Sequence, residues 1–487
     1  MIKASEREQV LVTTNVHSEA LCMLAENLES SADLEDDFFL RIFANDAIVR
    51  MVHASLTETQ SWGERKRRLP APVVVWLTLM LALHRSLSIP NAFLRLQVAA
   101  DERWPGASVF KVTDEALCHA RVRVGFEPLM NLFGKTAEEI QPEPSFAGMC
   151  AWVIDGTTCN IPDTEANEEH FGRPKLHRGK AAFPQLKMVP LTCVSSRRVK
   201  QVRVLGCRGH EVHALRELLP HVPRGDVVFV DRGLASYGLV PECQQLGIHV
   251  VMRVSGLYKP RIVAQLGPGD YRVEGTFTAP VPPAEQTGRR KTRDITIKAR
   301  MIVFRFEGDK QPVRLLTTLS PEQVSARELA EGYHLRWEVE LEIGELKTHL
   351  SAVCHGKLHT TFRSKSPMLI LQEVFALLAT YNLVRSMMVQ AAVAHGLDPL
   401  RIGFVGSLEV LKATLPYLLL LKTPEQWKSK LLELLDRIAA QKLPRPRRPR
   451  RYPRKVKQKM SNFKLKRAGD LGYVCDFKSA IQLDRAS

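Results

Sequence analysis

The chain has 487 residues, and its 69 lysines and arginines against 52 aspartates and glutamates give a net charge of +17. This length exceeds what one hydrophobic core can organise, so we expect roughly two to four folding units, and the positive excess indicates a polyanionic partner. The nine cysteines are an odd number without a C-x-x-C pair, which argues against a disulfide framework and against a thiolate zinc site.

The chain shows no pattern that predicts export or membrane insertion. Its opening MIKASEREQV carries charges and no apolar core, unlike a secretory signal. The longest apolar stretch, about residues 71–83, is shorter than the ~20 residues that span a bilayer, so we interpret it as a buried helix. We therefore expect a cytoplasmic protein without a membrane partner.

Residues 1–110 read as a helical domain, and residues 111–145 as further helices that lead into the core. A basic connector interrupts the first domain at Arg65, Lys66, Arg67 and Arg68. Such a run could contact a polyanion, or it could be an ordinary solvated stretch of charge.

Between residues 148 and 254 the predicted order is strand, strand, strand, helix, strand, helix, strand. Asp155 follows the apolar run AWVI, and Asp231 follows VVFV. Ligands and metals gather at the carboxyl ends of strands in open α/β sheets, which makes both acids candidates for a site. Either one could instead be a turn aspartate or a helix cap.

Residues 255–317 have a different character, with alternating strands, Gly/Pro turns and a basic GRRKTR loop. We predict a β-rich insertion there.

The segment YHLRWEVELEIGELKTHL predicts one helix with a cationic face. Tyr333, Arg336, Glu340 and Lys347 are spaced so that an ideal helix places them within roughly 60° of one another. The other glutamates of the segment project away from that face, namely Glu338, Glu342 and Glu345. The alternative is a plain amphipathic surface helix, in which Arg336 and Glu340 form an i,i+4 pair.

Residues 366–441 predict a helical C-terminal region. From Lys442 to Arg467 there are thirteen lysines and arginines, four prolines and no acid, so we expect residues 442–487 to stay extended as a basic, disordered tail. The tail would bind a nucleic-acid backbone, or would serve only for solubility.

These motifs together resemble the cut-and-paste DDE transposases of the insertion-sequence-four type. The resemblance rests on Asp155, on Asp231 with its Arg-Gly, and on the Tyr/Arg/Glu/Lys helix ending in ELKTHL. It covers about residues 30–395, and it implies that the helical domain at residues 1–110 recognises DNA at the element ends. It implies an α/β fold in which a ribonuclease-H-like mixed sheet core, residues 111–254 and 318–365, is interrupted by the β-rich insertion. Gly344 departs from the family pattern and should weaken the helix by about 1 kcal/mol.

The resemblance implies a metal-dependent enzyme. Asp155, Asp231 and Glu340 would crowd together and repel one another unless cations neutralised them. Carboxylate oxygens without histidine or cysteine favour two Mg²⁺ ions, or Mn²⁺ as a substitute, for phosphoryl transfer.

By matched position, Tyr333, Arg336 and Lys347 would hold a DNA phosphate. Thr157, Arg232 and Trp337 are supporting candidates, although a turn hydroxyl, a surface cation and a core aromatic are equally good interpretations of them. The family forms a DNA hairpin and stacks a displaced base on an aromatic ring. The candidates in the insertion are Tyr258, Tyr271, Phe277, Phe304 and Phe306.

The expected partners are therefore the inverted repeats at the ends of a mobile element, target DNA, and a second copy of the chain in a homodimer. We expect the protein on the nucleoid when it is bound to DNA. Two rival functions remain open, a DNA-binding repressor that lacks catalysis and a ribonuclease-H-like nuclease that lacks strand transfer.

Overall fold

The computed structural model describes residues 46–63, 69–103, 112–176, 179–256, 258–280, 292–306, 311–346, 360–418, 424–444 and 481–483. The basic connector at 65–68, Lys347 and most of the predicted basic tail lie outside the described residues. The chain divides into two compact units. The first contains Met1–Pro142, Gly156–His210 and Glu340–Leu443, and the second contains Glu143–Asp155, Glu211–Val339 and Pro444–Ser487.

The described helices are α1 (Asp46–Glu58), α2 (Ala71–Leu83), α3 (Ile89–Arg103), α4 (Asp114–Val124), α5 (Glu127–Glu138), α6 (Glu165–Phe171), α7 (Glu211–Leu218), α8 (Leu239–Leu246), α9 (Ala326–Gly332), α10 (Trp337–Gly344), α11 (Pro367–Ala394), α12 (Phe404–Leu418) and α13 (Pro424–Ala439). Short 3₁₀ helices are Leu219–His221, Tyr333–Arg336 and Pro399–Arg401. The strands are β1 (Ala151–Ile154), β2 (Thr157–Asn160), β3 (Lys175–Leu176), β4 (Gly179–Lys180), β5 (Gln185–Cys193), β6 (Val199–Gly206), β7 (Val227–Val230), β8 (His249–Arg253), β9 (Arg261–Gly267), β10 (Asp270–Pro280), β11 (Thr292–Phe306), β12 (Val313–Thr317) and β13 (Ile481–Leu483).

The first unit is built around the long helix α11, which packs against α2, α5 and α13. The predicted buried helix at 71–83 is confirmed as α2, and nearly all of its side chains are buried. Among the described residues, α11 is the one helix long and apolar enough to cross a membrane, yet 72% of its most apolar window is buried inside the protein. Its apolar character is therefore used for packing in the helical core.

A buried ionic cluster ties α11 to the amino-terminal helices. Glu373 of α11 lies 3.4 Å from Arg85 and 3.7 Å from Arg121. Burial alone would raise the pKa of Glu373, but the guanidinium groups of Arg85, Arg121 and Arg363 outweigh it and hold the pKa below its usual range. The carboxylate is therefore ionised, and it fastens α11 to α4 and to the turn after α2.

The strands of the first unit form an antiparallel set in which β5 pairs with both β2 and β6. Residues 157–160, which the sequence did not indicate as a strand, form β2, because their backbone groups pair with β5. Asn382 of α11 joins the helix to this set. Its Oδ1 accepts from the Val199 amide at 2.8 Å, and its Nδ2 donates to the Val199 carbonyl at 2.9 Å.

The second unit contains a mixed sheet. Strands β1, β7 and β8 are parallel, and β12, β11, β10 and β9 follow in that order with antiparallel pairing. The predicted order of core strands and helices is confirmed, and the structure adds β2, α6 and the short β3 and β4. The predicted α/β class is thus confirmed, with a mixed sheet and, in the described part of the chain, helices before it at residues 46–138 and after it at residues 367–439.

The prediction of a disordered tail is wrong for residues 481–483. They form β13, which pairs with β11 so that Phe304 faces Leu483. The basic run ends before this point, and the sequence there has apolar residues that suit a strand.

Candidate active site

Asp155 and Asp231 follow two neighbouring parallel strands of the second unit. The register aligns Ile154 with Val230, so each aspartate is the next residue after an aligned pair. Both strands are fully buried, which fixes the backbone from which the two side chains leave. The two acids therefore stand at the same edge of the sheet, as the sequence predicted from their strands alone.

Asp226, at the opposite end of β7, holds this register in place. Its carboxylate accepts from the Cys150 amide at 3.2 Å and from the Trp152 indole nitrogen at 2.9 Å. Sequence reasoning missed Asp226, because a third aspartate before a strand looks like a turn residue. Asp231 also has a turn contact, since the Gly233 amide lies 3.5 Å from its Oδ2.

Arg336 reaches both candidate acids. Its Nη1 lies 3.9 Å from Asp155 Oδ2, and its Nε lies 3.5 Å from Asp231 Oδ1. The arginine side chain is 7% exposed, whereas those of Asp155 and Asp231 are 25% and 37% exposed. One shielded cation thus lies beside two carboxylates that remain partly open to solvent, and it offsets one of their two negative charges.

Tyr333 packs beside this arginine. Its hydroxyl donates to the Val230 carbonyl at 3.4 Å, and the Arg336 guanidinium lies 6.0 Å from its ring centre. Burial raises the pKa of the Tyr333 hydroxyl above its usual range, and the charge of Asp231 adds to this effect. The hydroxyl therefore keeps its proton and can act as a hydrogen-bond donor.

The predicted single α-helix from residue 333 is wrong at its start. Tyr333–Arg336 is a 3₁₀ helix, and α10 begins only at Trp337. The tighter 3₁₀ winding changes the angles between successive side chains, so the one-face arrangement drawn from an ideal α-helix does not apply there. The sequence pattern could not reveal this, because Tyr333 and Arg336 are three residues apart, a spacing that suits both helix types.

An ionic link from the insertion supports this segment. Arg300 of β11 binds both oxygens of Asp270 at 2.8 and 2.7 Å, and its Nη1 donates to the Val324 carbonyl at 2.6 Å. Val324 directly precedes the Ser325 cap of α9, and α9 leads into Tyr333. The strands of the insertion therefore help to position Arg336.

Glu340 belongs to the first unit, where its side chain is exposed. It lines a groove of about 600 Å³ together with Arg197, Gly344, Glu345 and residues 402–406 and 440–443. Glu342 and Glu345 are bound by side chains of the same unit. Glu342 is fully buried and accepts from Thr192 Oγ1 at 2.5 Å, and burial raises its pKa to about 8.

The supporting candidates have different surroundings. Thr157 is buried on β2, and Arg232 is exposed in the loop after Asp231. Trp337 is 38% exposed and contacts the His334 ring edge to face at 4.8 Å.

Two tyrosines of the second unit stack on each other. The rings of Tyr237 and Tyr258 are 3.5 Å apart at an interplanar angle of 21°, and Tyr258 also packs on the backbone of Gly275. Burial raises the pKa of Tyr237 to about 12. Phe304, another candidate from the sequence, is buried in the sheet, so it offers no open ring face.

The chemistry of the donors fits a hard divalent cation. Asp155 and Asp231 present only carboxylate oxygens, and the position of Arg336 shows that a positive charge is accommodated beside both. Within the described ranges, no group of three or more His, Cys, Asp or Glu side chains is close enough to hold a metal ion.

Two sequence families match the chain. The Transposase DDE domain matches residues 147–383, and the Insertion element 4 transposase N-terminal domain matches residues 40–134. The chain belongs to the insertion element 4 family of DDE transposases. The family assignment inferred from the motifs is confirmed.

Two relatives of this transposase come from Escherichia coli (strain K12). Transposase InsG for insertion sequence element IS4 is 28% identical over 422 residues, which cover 84% of this chain and 90% of InsG. Putative transposase InsZ is 24% identical over 212 residues, 42% of this chain and 68% of InsZ. A piggyBac transposase in a synaptic complex with hairpin DNA aligns over 82% of this chain and 84% of its own, with 11% identity and a TM-score of 0.42.

Proposed function

We propose that this transposase cuts DNA at the ends of a mobile element and joins the freed ends to target DNA. The observation that carries the proposal is the aligned pair Asp155 and Asp231, with Arg336 beside both, in a chain that matches the DDE domain. The protein would act in the cytoplasm, on the nucleoid when it is bound to DNA.

Asp155, Asp231 and Glu340 would hold the divalent cations, two Mg²⁺ ions or Mn²⁺ in their place. When bound, such ions would supply positive charge to the attacking and leaving oxygens of a phosphoryl transfer. Arg336, freed from the two aspartates, would bind a DNA phosphate, and Lys347 would do the same as a point charge. Tyr333 would donate a hydrogen bond to that phosphate, because its raised pKa keeps the hydroxyl protonated.

A hairpin intermediate would require a base to leave the duplex and to stack on an aromatic ring. Of the aromatic candidates in the insertion, Tyr258 stacks on Tyr237, so it would have to leave that contact to present the same ring face to a base. Two element ends must be handled together, so we expect a homodimer in the complex that joins them.

The test combines purified protein, Mg²⁺ and the inverted-repeat DNA from its own element. End nicks, hairpins and joined products are expected from the native protein. Asp155→Asn, Asp231→Asn and Glu340→Gln should each abolish cutting while DNA binding persists, and Glu338→Gln on the same helix as Glu340 is the matched control. Nicks without joining would favour a nuclease, and binding without cleavage even in Mn²⁺ would favour a repressor.

A further inference from the structure

The carboxylate of Glu345, the first residue after α10, is bound by three side chains from two other elements. Tyr381 and Arg385 of α11 both donate to its Oε2, Tyr381 at 2.9 Å, and Arg197 of the β5–β6 turn reaches Oε1 at 3.1 Å. Arg385 also donates to the Tyr381 hydroxyl at 3.2 Å. We call these four residues the Glu345 clamp. All of them belong to the first unit, as Glu340 does.

The clamp is shielded from water. The side chain of Glu345 is 12% exposed, that of Arg197 is 8% exposed and that of Arg385 is 1% exposed. Arg197 also has a backbone φ of 55°, in the left-handed region that a non-glycine residue adopts at a cost of about 1 kcal/mol. The surrounding structure therefore holds Arg197 in a backbone conformation that is unfavourable for an isolated residue.

The helix that the clamp holds is weak by its own sequence. α10 has eight residues, follows a 3₁₀ helix and gives way to a π turn at residues 345 and 346. Isolated helices shorter than ~12 residues are marginal in water. Gly344, its last residue, costs about 1 kcal/mol relative to alanine. The backbone that carries Glu340 therefore depends on tertiary contacts for its position.

Thermodynamic stability alone is a poor explanation for the clamp. Desolvating two guanidinium groups and a carboxylate costs about as much as their attraction returns, so apolar residues of similar volume would often stabilise a protein at least as well. A buried carboxylate with three directed donors does provide a fixed geometry, because moving it by an ångström breaks several hydrogen bonds. The clamp thus restrains the end of α10 in both rotation and translation.

We propose that Glu345 is a positioning residue, which acts through Tyr381, Arg385 and Arg197 to hold the Glu340 carboxylate ready for a divalent cation. This inference rests on the proposed metal-binding role of Glu340. Because the clamp side chains are largely buried and bind one another, their loss should lower metal affinity and leave the binding of element ends nearly unchanged.

The experiment compares Glu345→Gln and Tyr381→Phe with the native protein. Glu345→Gln removes the charge at constant size, and Tyr381→Phe removes one hydroxyl. The matched control is Glu373→Gln, which breaks another buried carboxylate–arginine cluster of the same unit far along α11 from the clamp. Mn²⁺ binding is titrated calorimetrically on complexes with pre-cut end DNA, and end cleavage is followed against Mg²⁺ concentration. End binding is measured separately without metal.

We expect the half-saturating metal concentration to rise about tenfold in Glu345→Gln, as for other residues that orient a metal ligand, and by less in Tyr381→Phe. Saturating Mn²⁺ should restore most of the cleavage rate. Glu373→Gln should lower the melting temperature without moving the metal titration. Metal curves of both clamp variants that overlay the native curve, or an equal shift in Glu373→Gln, would overturn the proposal.

The outcomes separate this inference from the proposed function. If the native protein does not cleave DNA, the proposed function fails, while the Mn²⁺ titrations still compare clamp variants with native protein. If Glu345→Gln does not fold, Tyr381→Phe decides the question, because the loss of one hydroxyl leaves the Glu345–Arg385 pair in place.

Discussion

At the scale of single residues, the Arg336 guanidinium can bind two kinds of anion, a carboxylate and a phosphate. In the structure it lies beside the carboxylates of Asp155 and Asp231, and in the proposed reaction it holds a phosphate. A metal ion and Arg336 would compete for the same carboxylates, so the entry of a metal should favour the release of the arginine toward DNA.

Arg336→Met tests this exchange. The substitution leaves two acids without their guanidinium and should lower the free energy of unfolding by about 1 kcal/mol, a small value because both acids are partly exposed. Millimolar Mn²⁺ should raise the melting temperature of Arg336→Met more than that of the native protein. Arg232→Met, at an exposed position, is the control, and an equal response to Mn²⁺ in all three proteins would contradict the exchange.

Glu342 makes a pH-dependent contribution to stability. Burial raises its pKa from 4.5 to about 8, so between these values the folded state keeps a proton that the unfolded chain has released. The unfolded state then binds fewer protons, and the free energy of unfolding falls as the pH rises through this window. Glu342→Gln should flatten that fall in urea titrations at about pH 5, 6.5 and 8. The exposed Glu115→Gln should leave the slope unchanged, and the same slope in Glu342→Gln would contradict the assignment.

At the scale of elements, the two glycines that flank the Arg336 segment have opposite surroundings. A Cβ added at Gly344 would meet no atom within 4 Å, whereas one at Gly332 would lie 2.1 Å from the Phe146 ring. Gly344→Ala should therefore stabilise α10 by up to about 1 kcal/mol, and Gly332→Ala should destabilise the protein. Urea unfolding measures both, and a loss of stability in Gly344→Ala would show that helix propensity does not limit α10.

Arg300 gives a second prediction for an element. Lysine keeps the charge but lacks the planar fork that binds both Asp270 oxygens and the Val324 carbonyl, so Arg300→Lys should cost about 2–3 kcal/mol of stability. The matched control is Arg272→Lys, at an exposed position on the neighbouring strand β10. Urea unfolding that fails to separate the two variants would mean that Arg300 does not hold the start of α9.

Elements with a strong apolar pattern in their own residues could be predicted from the sequence. Elements whose conformation depends on residues distant in the chain could not. Continuous apolar runs indicated α2 and β7, and the ends of the predicted strands indicated Asp155 and Asp231 as candidates for the site. The strand at 157–160 was missed because Gly-Thr-Thr favours a turn locally, while pairing with β5 decides its conformation. The binding of Glu345 by Arg197 could not be predicted, because the two residues are 148 positions apart in the chain.

At the scale of the whole molecule, charge is distributed unevenly along the chain. The run from Lys442 to Arg467 contributes thirteen positive charges to a net charge of +17. The remainder of the sequence is therefore close to balanced, and sequence-independent attraction to DNA should depend strongly on this run.

Nonspecific DNA affinity should fall about a thousandfold between roughly 50 and 200 mM salt. Changing Arg454, Lys455, Lys457 and Lys459 together to glutamine should reduce the slope of log affinity against log salt by about 3 to 4, because each lost phosphate contact removes ~0.9. Fluorescence anisotropy with a short duplex measures the slope. A slope unchanged by these substitutions would favour a tail that serves only for solubility.

A ribosome completes Glu340 and Glu345 before it reaches Tyr381 and Arg385, since translation proceeds from the amino end. The nascent polypeptide therefore contains Asp155, Asp231 and Glu340 before Tyr381 and Arg385, which complete the Glu345 clamp, have been made. Messages truncated in that interval would yield fragments with every candidate acid and an unbraced Glu340. DNA cleavage would then begin only after α11 has been synthesised and has packed in the first unit. Incomplete chains would therefore not cut the host chromosome.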